Sequence, residues 1–192
     1  MAHEDLIYGL MESLVTADKH IIGDLMAHKE LWTAGVSAVN NSYKALNLLV
    51  DSGKLVKGDG YFKLPDCKSE YKEHAQLLTK ALAEILKLNY TSKIFREVTL
   101  QEVGLRPDAL VLLIKDSQAL MFVLEVCNNE SPNFLQQKVN ILRNWDWVLE
   151  MFSKIFETKI KAFDIVVSGD ITADGTFNFK EYIENIKKEV NQ

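Results

Sequence analysis

The chain has 192 residues, 47% of them hydrophobic and 26% charged, with a formal net charge of −5. This is enough apolar material for one ordinary core or two small ones, so disorder is not the default, and the balance excludes a wholly basic nucleic-acid binder without excluding a local basic face. No apolar run reaches membrane-spanning length, Glu4 and Asp5 stand where a secretory leader would be basic, and Cys67 and Cys127 lie far apart in no metal-type spacing, so the expected setting is cytoplasmic with no membrane.

Residues 1–65 read as three helices and a hairpin. Leu6, Ile7, Leu10, Met11 and Leu14 recur at helical spacing and predict a helix over 4–14. Thr16 can cap a second helix, whose apolar side is Ile21, Ile22, Leu25 and Met26. Ser37 can cap a third, which buries Val39, Tyr43, Leu46 and Val50 before Gly53 stops it. Two short strand-like runs then flank Gly58, Asp59 and Gly60, the signature of a tight hairpin. Three helices followed by a hairpin is the order of a winged helix-turn-helix, and residues 45–57 resemble the passage from recognition helix into wing in that superfamily. Ser37, Asn40, Asn41 and Lys44 on the recognition helix, with Lys54 and Lys57 in the wing, are groups that reach phosphates and base edges. Acids outnumber lysines in this segment, so a protein-binding role stands beside DNA contact.

The pattern changes near Pro65 and Asp66, which sets the expected boundary between domains 1–65 and 66–192. Tyr71, Ala75, Leu78, Leu82 and Ile85 predict a helix over 69–88 that packs on a sheet. Strands are expected over 94–100, 109–114 and 120–127, the last two so continuously apolar that both faces should be covered. Ser131 caps and Pro132 opens a long helix bearing Leu135, Val139, Leu142, Leu149 and Phe152, with Trp145 and Trp147 as packing residues. A fourth strand over 162–167, a turn-rich loop over 169–175 and a closing helix over 180–190 complete the chain. The expected class is α/β, α+β overall, with a mixed central sheet in the second domain.

Three carboxylates stand out among those strands. Asp108 follows Pro107 at a strand mouth, Glu125 interrupts an apolar run where a charge is costly unless paired or metal-bound, and Glu97 sits beside Arg96. This order and these acids resemble the PD-(D/E)xK nuclease superfamily. The resemblance implies that such carboxylates hold magnesium, which activates water and steadies the scissile phosphate, and that a lysine two residues after the last acid completes the set. Here Cys127 stands at that position; its expected state is a buried thiol. Lys138, on the following helix, could bring a charge into the same space, although a solvated lysine is the commoner case. Arg106 or Lys138 could alternatively pair with Glu125.

A closer resemblance covers residues 106–147. The run from Arg106 through Leu113, the run from Phe122 through Ser131, and the run from Leu135 to Trp145 resemble the replication-relaxation family of plasmid and mobile-element proteins, which joins a winged helix to this kind of α/β domain. That family carries an acid where Cys127 stands. The resemblance implies DNA handling in a plasmid, phage or other mobile element. The expectation is a DNA-binding accessory protein in replication, transfer or transcription, working on double-stranded DNA, as a homodimer, with no resident cofactor and a non-catalytic nuclease-like domain. The alternatives are a magnesium-dependent endonuclease with a rearranged lysine, whose metal ligands are Asp108 and Glu125 and whose site includes Glu97 and Lys138, and an assembly factor that touches only protein.

Overall fold

The computed structural model describes residues 3–68, 72–88, 90–115, 118–128, 130–143 and 146–190. The chain divides into two units, Met1–Leu88 and Asn89–Gln192.

In the first unit, α1 (His3–Leu14) buries Ile7, Leu10, Met11 and Leu14, the stripe its periodicity predicts. Helix α2 (Lys19–His28) is capped by Asp18, whose carboxylate accepts the N–H groups of His20 and Ile21 at 2.8 and 3.0 Å. Thr16, the expected cap, lies instead in a short strand, β1 (Thr16–Ala17), fully buried, with its carbonyl accepting the Thr79 hydroxyl at 3.0 Å. Helix α3 (Val36–Asp51) begins one residue before Ser37, which is exposed in the first turn and caps nothing.

The buried face of α3 is Ala38, Ser42, Ala45, Leu46 and Leu49, so Tyr43, expected inside, is 40% exposed. Close helix packing explains the rotation. A Cβ on Gly23 of α2 would stand 3.1 Å from the Ala38 carbonyl carbon, so small residues fill this contact and the tyrosine is turned out. The hairpin forms as expected from β2 (Val56–Lys57) and β3 (Phe62–Lys63), and β1 extends it in the order β1-β3-β2. Three helices with this small sheet make a winged-helix architecture.

Helix α4 (Glu73–Leu86) packs within the first unit, against α1, α2 and β1, rather than opening the second. Its apolar stripe of Ala75, Leu78, Leu82 and Ile85 is the predicted one, but the surface it covers differs, so the division falls after Leu88 and not at Pro65. Residues 69–71, including Tyr71, lie outside the described residues.

The second unit is built on a five-stranded mixed sheet in the order β4-β5-β6-β7-β8: β4 (Thr91–Arg96), β5 (Ala109–Lys115), β6 (Gln118–Val126), β7 (Asp164–Ser168) and β8 (Phe177–Asn178). The first three strands pair antiparallel, and β7 and β8 add in parallel. An antiparallel meander joined through helices to a parallel strand agrees with the expected α/β class. The first of these strands ends at Arg96, not near Leu100, because Glu97 takes a left-handed backbone (φ 53°) that breaks the ladder. The expected long helix is two, α5 (Pro132–Arg143) and α6 (Trp147–Phe156), while Trp145 lies outside the described residues. Leu110, Leu112, Met121 and Val123 on one sheet face pack with Leu135, Val139, Phe152 and Phe156 of these helices. The closing helix α7 (Phe179–Val190) borders β7 and β8, and its Tyr182 meets Phe122 edge to face. Strands β5 and β6 are therefore covered on both faces, which is why they read as continuous apolar runs.

Candidate functional site

Glu125 lies on the sheet face that also carries Met121, Val123 and Cys127, since side chains two apart on a strand share a face. Ala109 pairs with Leu124, so the next step along the ladder sets Asp108 alongside Glu125. The Asp108 carboxylate accepts the Val126 N–H at 2.7 Å, which ties the strand mouth to β6. Glu125 is 1% exposed, yet it is not left alone: Lys138 Nζ donates to its Oε2 at 2.8 Å and to Glu130 Oε1 at 3.2 Å.

Lys138 reaches this place because of its position on α5. Leu135, Lys138, Val139 and Leu142 form the buried stripe of that helix, so the lysine points into the fold and is only 9% exposed. Of the states the sequence leaves open for Lys138, the solvated one is not found, and the pairing with Glu125 is. Burial opposes its charge, but Glu125 and Glu130 outweigh that effect and raise its pKa. For Glu125, burial and then the nearby charge of Asp108 push the carboxyl up to about 7, against the pull of Lys138. Its second oxygen, Oε1, is buried with no hydrogen-bond partner among the described residues.

Cys127 is buried, as expected. Burial and then the Glu130 and Glu125 charges push its thiol up to about 11, so it is neutral and no substitute for a lysine. Its N–H bonds the Ser168 carbonyl at 2.9 Å, and Gly169 beyond presses so close that a Cβ there would collide with the Cys127 carbonyl oxygen.

Glu97 departs from the other acids. Its N–H bonds the Asp108 carbonyl at 3.0 Å, but its carboxylate is held by the Arg106 guanidinium. That pairing also removes Arg106 as a partner for Glu125. The structure therefore brings together Asp108, Glu125 and Lys138, and adds Glu130, which the sequence reading missed. Among the described residues no group of three or more His, Cys, Asp or Glu side chains is arranged to hold a metal ion.

The restriction endonuclease FokI is a structural match. It is 14% identical, with a TM-score of 0.30, over 98% of this chain and 40% of that one, so the chain spans well under half the length of that protein. No protein family and no curated protein matches the chain. Among the described residues, no helix is long and apolar enough to cross a membrane.

The candidate nucleic-acid face of the first unit is more specific than its composition. Ser37, Asn40, Lys44, Lys54 and Lys57 are exposed and Asn41 half-buried. Lys54 leans toward the other side, 3.9 Å from Asp5 and over the Tyr8 ring. Lys44 and Asn41 line a 440 Å³ hollow with His3, Trp32 and Leu48. Lys57 instead joins Tyr43, expected inside, and Asn47: its Nζ donates to Tyr43 Oη at 2.9 Å and Asn47 Oδ1 at 3.2 Å and lies 4.9 Å from the tyrosine ring centroid. Lys19 Nζ lies 5.3 Å from the same ring. The hydrogen bond and charge of Lys57 lower the Tyr43 pKa. Two ammonium groups flanking an exposed tyrosine on α3 make a compact positive spot on an acidic chain.

Proposed function

We propose that this is a DNA-acting protein of a plasmid, phage or other mobile element, with a winged helix that contacts duplex DNA and a second unit that cleaves phosphodiester bonds with magnesium. The observation that carries the reading is Lys138: a buried ammonium 2.8 Å from a buried carboxylate, supplied by a helix because Cys127 occupies the usual lysine position. Attack on a phosphate builds negative charge that must meet a cation held in place beforehand. Lys138 is such a cation, fixed by the apolar neighbours on its helix stripe.

The donor set suits a hard cation. Glu125 Oε1, buried without a hydrogen-bond donor, and the adjoining Asp108 carboxylate are the oxygens that would hold it, and two carboxylates suffice for an ion that keeps several waters. Bound there, magnesium would activate water and neutralise charge on the phosphate. Glu130 shares the Lys138 ammonium and keeps it oriented, and Asp108 fixes the register of the two strands that carry the acids.

A second reading, a non-catalytic DNA-binding accessory, is favoured by a Lys138 ammonium already satisfied by two carboxylates. Duplex DNA as partner, a homodimer and a cytoplasmic setting belong to both readings. Incubation of supercoiled plasmid with the purified protein separates them. Nicking in magnesium or manganese that is lost in Asp108→Ala, Glu125→Ala and Lys138→Met supports cleavage. A gel shift without cleavage supports the accessory.

A further inference from the structure

Phe134 is 49% exposed although it sits on a helix whose buried stripe is complete without it. It lies four residues before Lys138, one turn along α5, and the Lys138 ammonium stands 5.1 Å from its ring centroid. The first turn is fixed by Ser131, whose hydroxyl accepts the Phe134 N–H at 3.2 Å. Ser131, Asn133 and Gln137 near it in the chain are exposed and polar and Pro132 is exposed, so the ring is the aromatic part of a small surface beside the Glu125–Lys138 pair.

A lone exposed phenylalanine adds nothing to the core. The ring already covers the Lys138 ammonium, and an aromatic ring beside a cation that meets phosphate can also serve as a platform for a nucleobase. In one nucleotide the base is tied covalently to its phosphate, so a strand whose phosphate approaches Lys138 brings a base within reach of a surface one helical turn away. Only an unpaired base offers its face to a side chain, since a base inside a duplex is stacked on both sides and shows only its edges. We infer that Phe134 stacks on an unpaired nucleobase and that the second unit therefore takes single-stranded, frayed or flapped nucleic acid in preference to intact duplex. The inference rests on the reading that the Asp108–Glu125–Lys138 site meets nucleic acid, and it does not require that the site cleave.

The test uses the full chain in EDTA, so that binding is read without turnover, with a 20-nucleotide single strand carrying 2-aminopurine and the blunt duplex of the same sequence. The wild type is expected to bind the single strand and to quench its fluorescence. Phe134→Ala should weaken that binding at least about fivefold, the lower end for loss of one base stack, and leave duplex affinity unchanged. Phe134→Trp should preserve both affinity and quenching. Thermal melts of the variants, expected to match the wild type, exclude a folding effect. Equal loss on single strand and duplex, no loss in Phe134→Ala, or no binding of the single strand by the wild type would each overturn the inference. Plasmid nicking by the wild type and by Asp108→Ala is scored separately: stacking without cleavage sinks the nuclease reading alone, and cleavage unaffected by Phe134→Ala with no change in binding sinks the stacking alone.

Discussion

Lys138→Met removes the cation and leaves Glu125 in place. Methionine keeps all but the last atom of the side chain's length and the apolar stripe of α5, so the change mainly removes the charge. Breaking a buried ion pair by removing one partner costs about 3–5 kcal/mol. Glu125 is 1% exposed and the Lys138 side chain 11%, which makes the pair a buried one. The orphaned carboxyl can take up a proton, since burial and Asp108 already hold it near 7, and that relief puts the loss at the lower end, about 3 kcal/mol. For a unit of roughly 100 residues, each kcal/mol lowers the melting temperature by about 4–8 °C, so the transition of the second unit should fall by roughly 12–24 °C. Glu125→Gln should cost less, because Lys138 keeps Glu130 at 3.2 Å. Scanning calorimetry of both single variants and the double variant, in EDTA, closes the cycle, with an expected coupling above about 1 kcal/mol. A Lys138→Met protein within about 0.5 kcal/mol of the wild type, the range of surface substitutions, would show that the lysine is solvated and that no buried ion pair holds α5 to β6.

Two further outcomes follow from the same geometry. Glu125 has a folded pKa of about 7, above its ordinary value of 4.5, so the folded protein binds the extra proton. The stability it contributes is full below about pH 4.5 and is lost as pH rises through about 7, at up to about 1.4 kcal/mol per pH unit between those values. Denaturant melts across pH 4.5–7.5 should show this slope in the wild type and not in Glu125→Gln; equal slopes would contradict the assignment. On the first unit, Lys19→Glu with Lys57→Glu should weaken duplex binding about tenfold and reduce the slope of log affinity against log salt by about 2, one per phosphate contact. Unchanged affinity by fluorescence anisotropy would move the DNA face elsewhere.

Much of the fold is legible in the residues. The α1 stripe, the Gly58–Asp59–Gly60 turn and the continuous apolar runs of β5 and β6 each carry their structure locally, because periodicity and turn chemistry are local. What was illegible depends on partners distant in the chain. The surface covered by α4 is settled by β1 and by the Thr16–Thr79 contact, 63 residues apart. The outward turn of Tyr43 is settled by a glycine on another helix. Asp18 is the cap instead of Thr16 because the helix begins at Lys19, while Thr16, two residues before the cap position, is held in β1 by its pairing with Lys63, 47 residues away in the chain.

The candidate site is legible in its acids and only partly in its lysine: Lys138 is among the partners the sequence offers Glu125, but not its burial. Asp108 and Glu125 were visible as charges at a strand mouth and inside an apolar run. Residue type favours a solvated Lys138, while its spacing from Leu135, Val139 and Leu142 puts it on the buried stripe. That spacing was the available signal. Proximity in sequence sets Glu97 beside Arg96, and only the left-handed turn at that residue and its contact with Arg106 show that its carboxylate goes elsewhere.

The most direct test of the account is single-turnover nicking of supercoiled plasmid in magnesium, with the wild type beside Asp108→Ala, Glu125→Ala and Lys138→Met. The lysine-from-the-helix site predicts conversion to open circles by the wild type and at least about a hundredfold slower conversion in each variant, the scale of losing one preorganised charge at a reacting centre. Wild-type protein that binds the plasmid and leaves it supercoiled in both magnesium and manganese would contradict it.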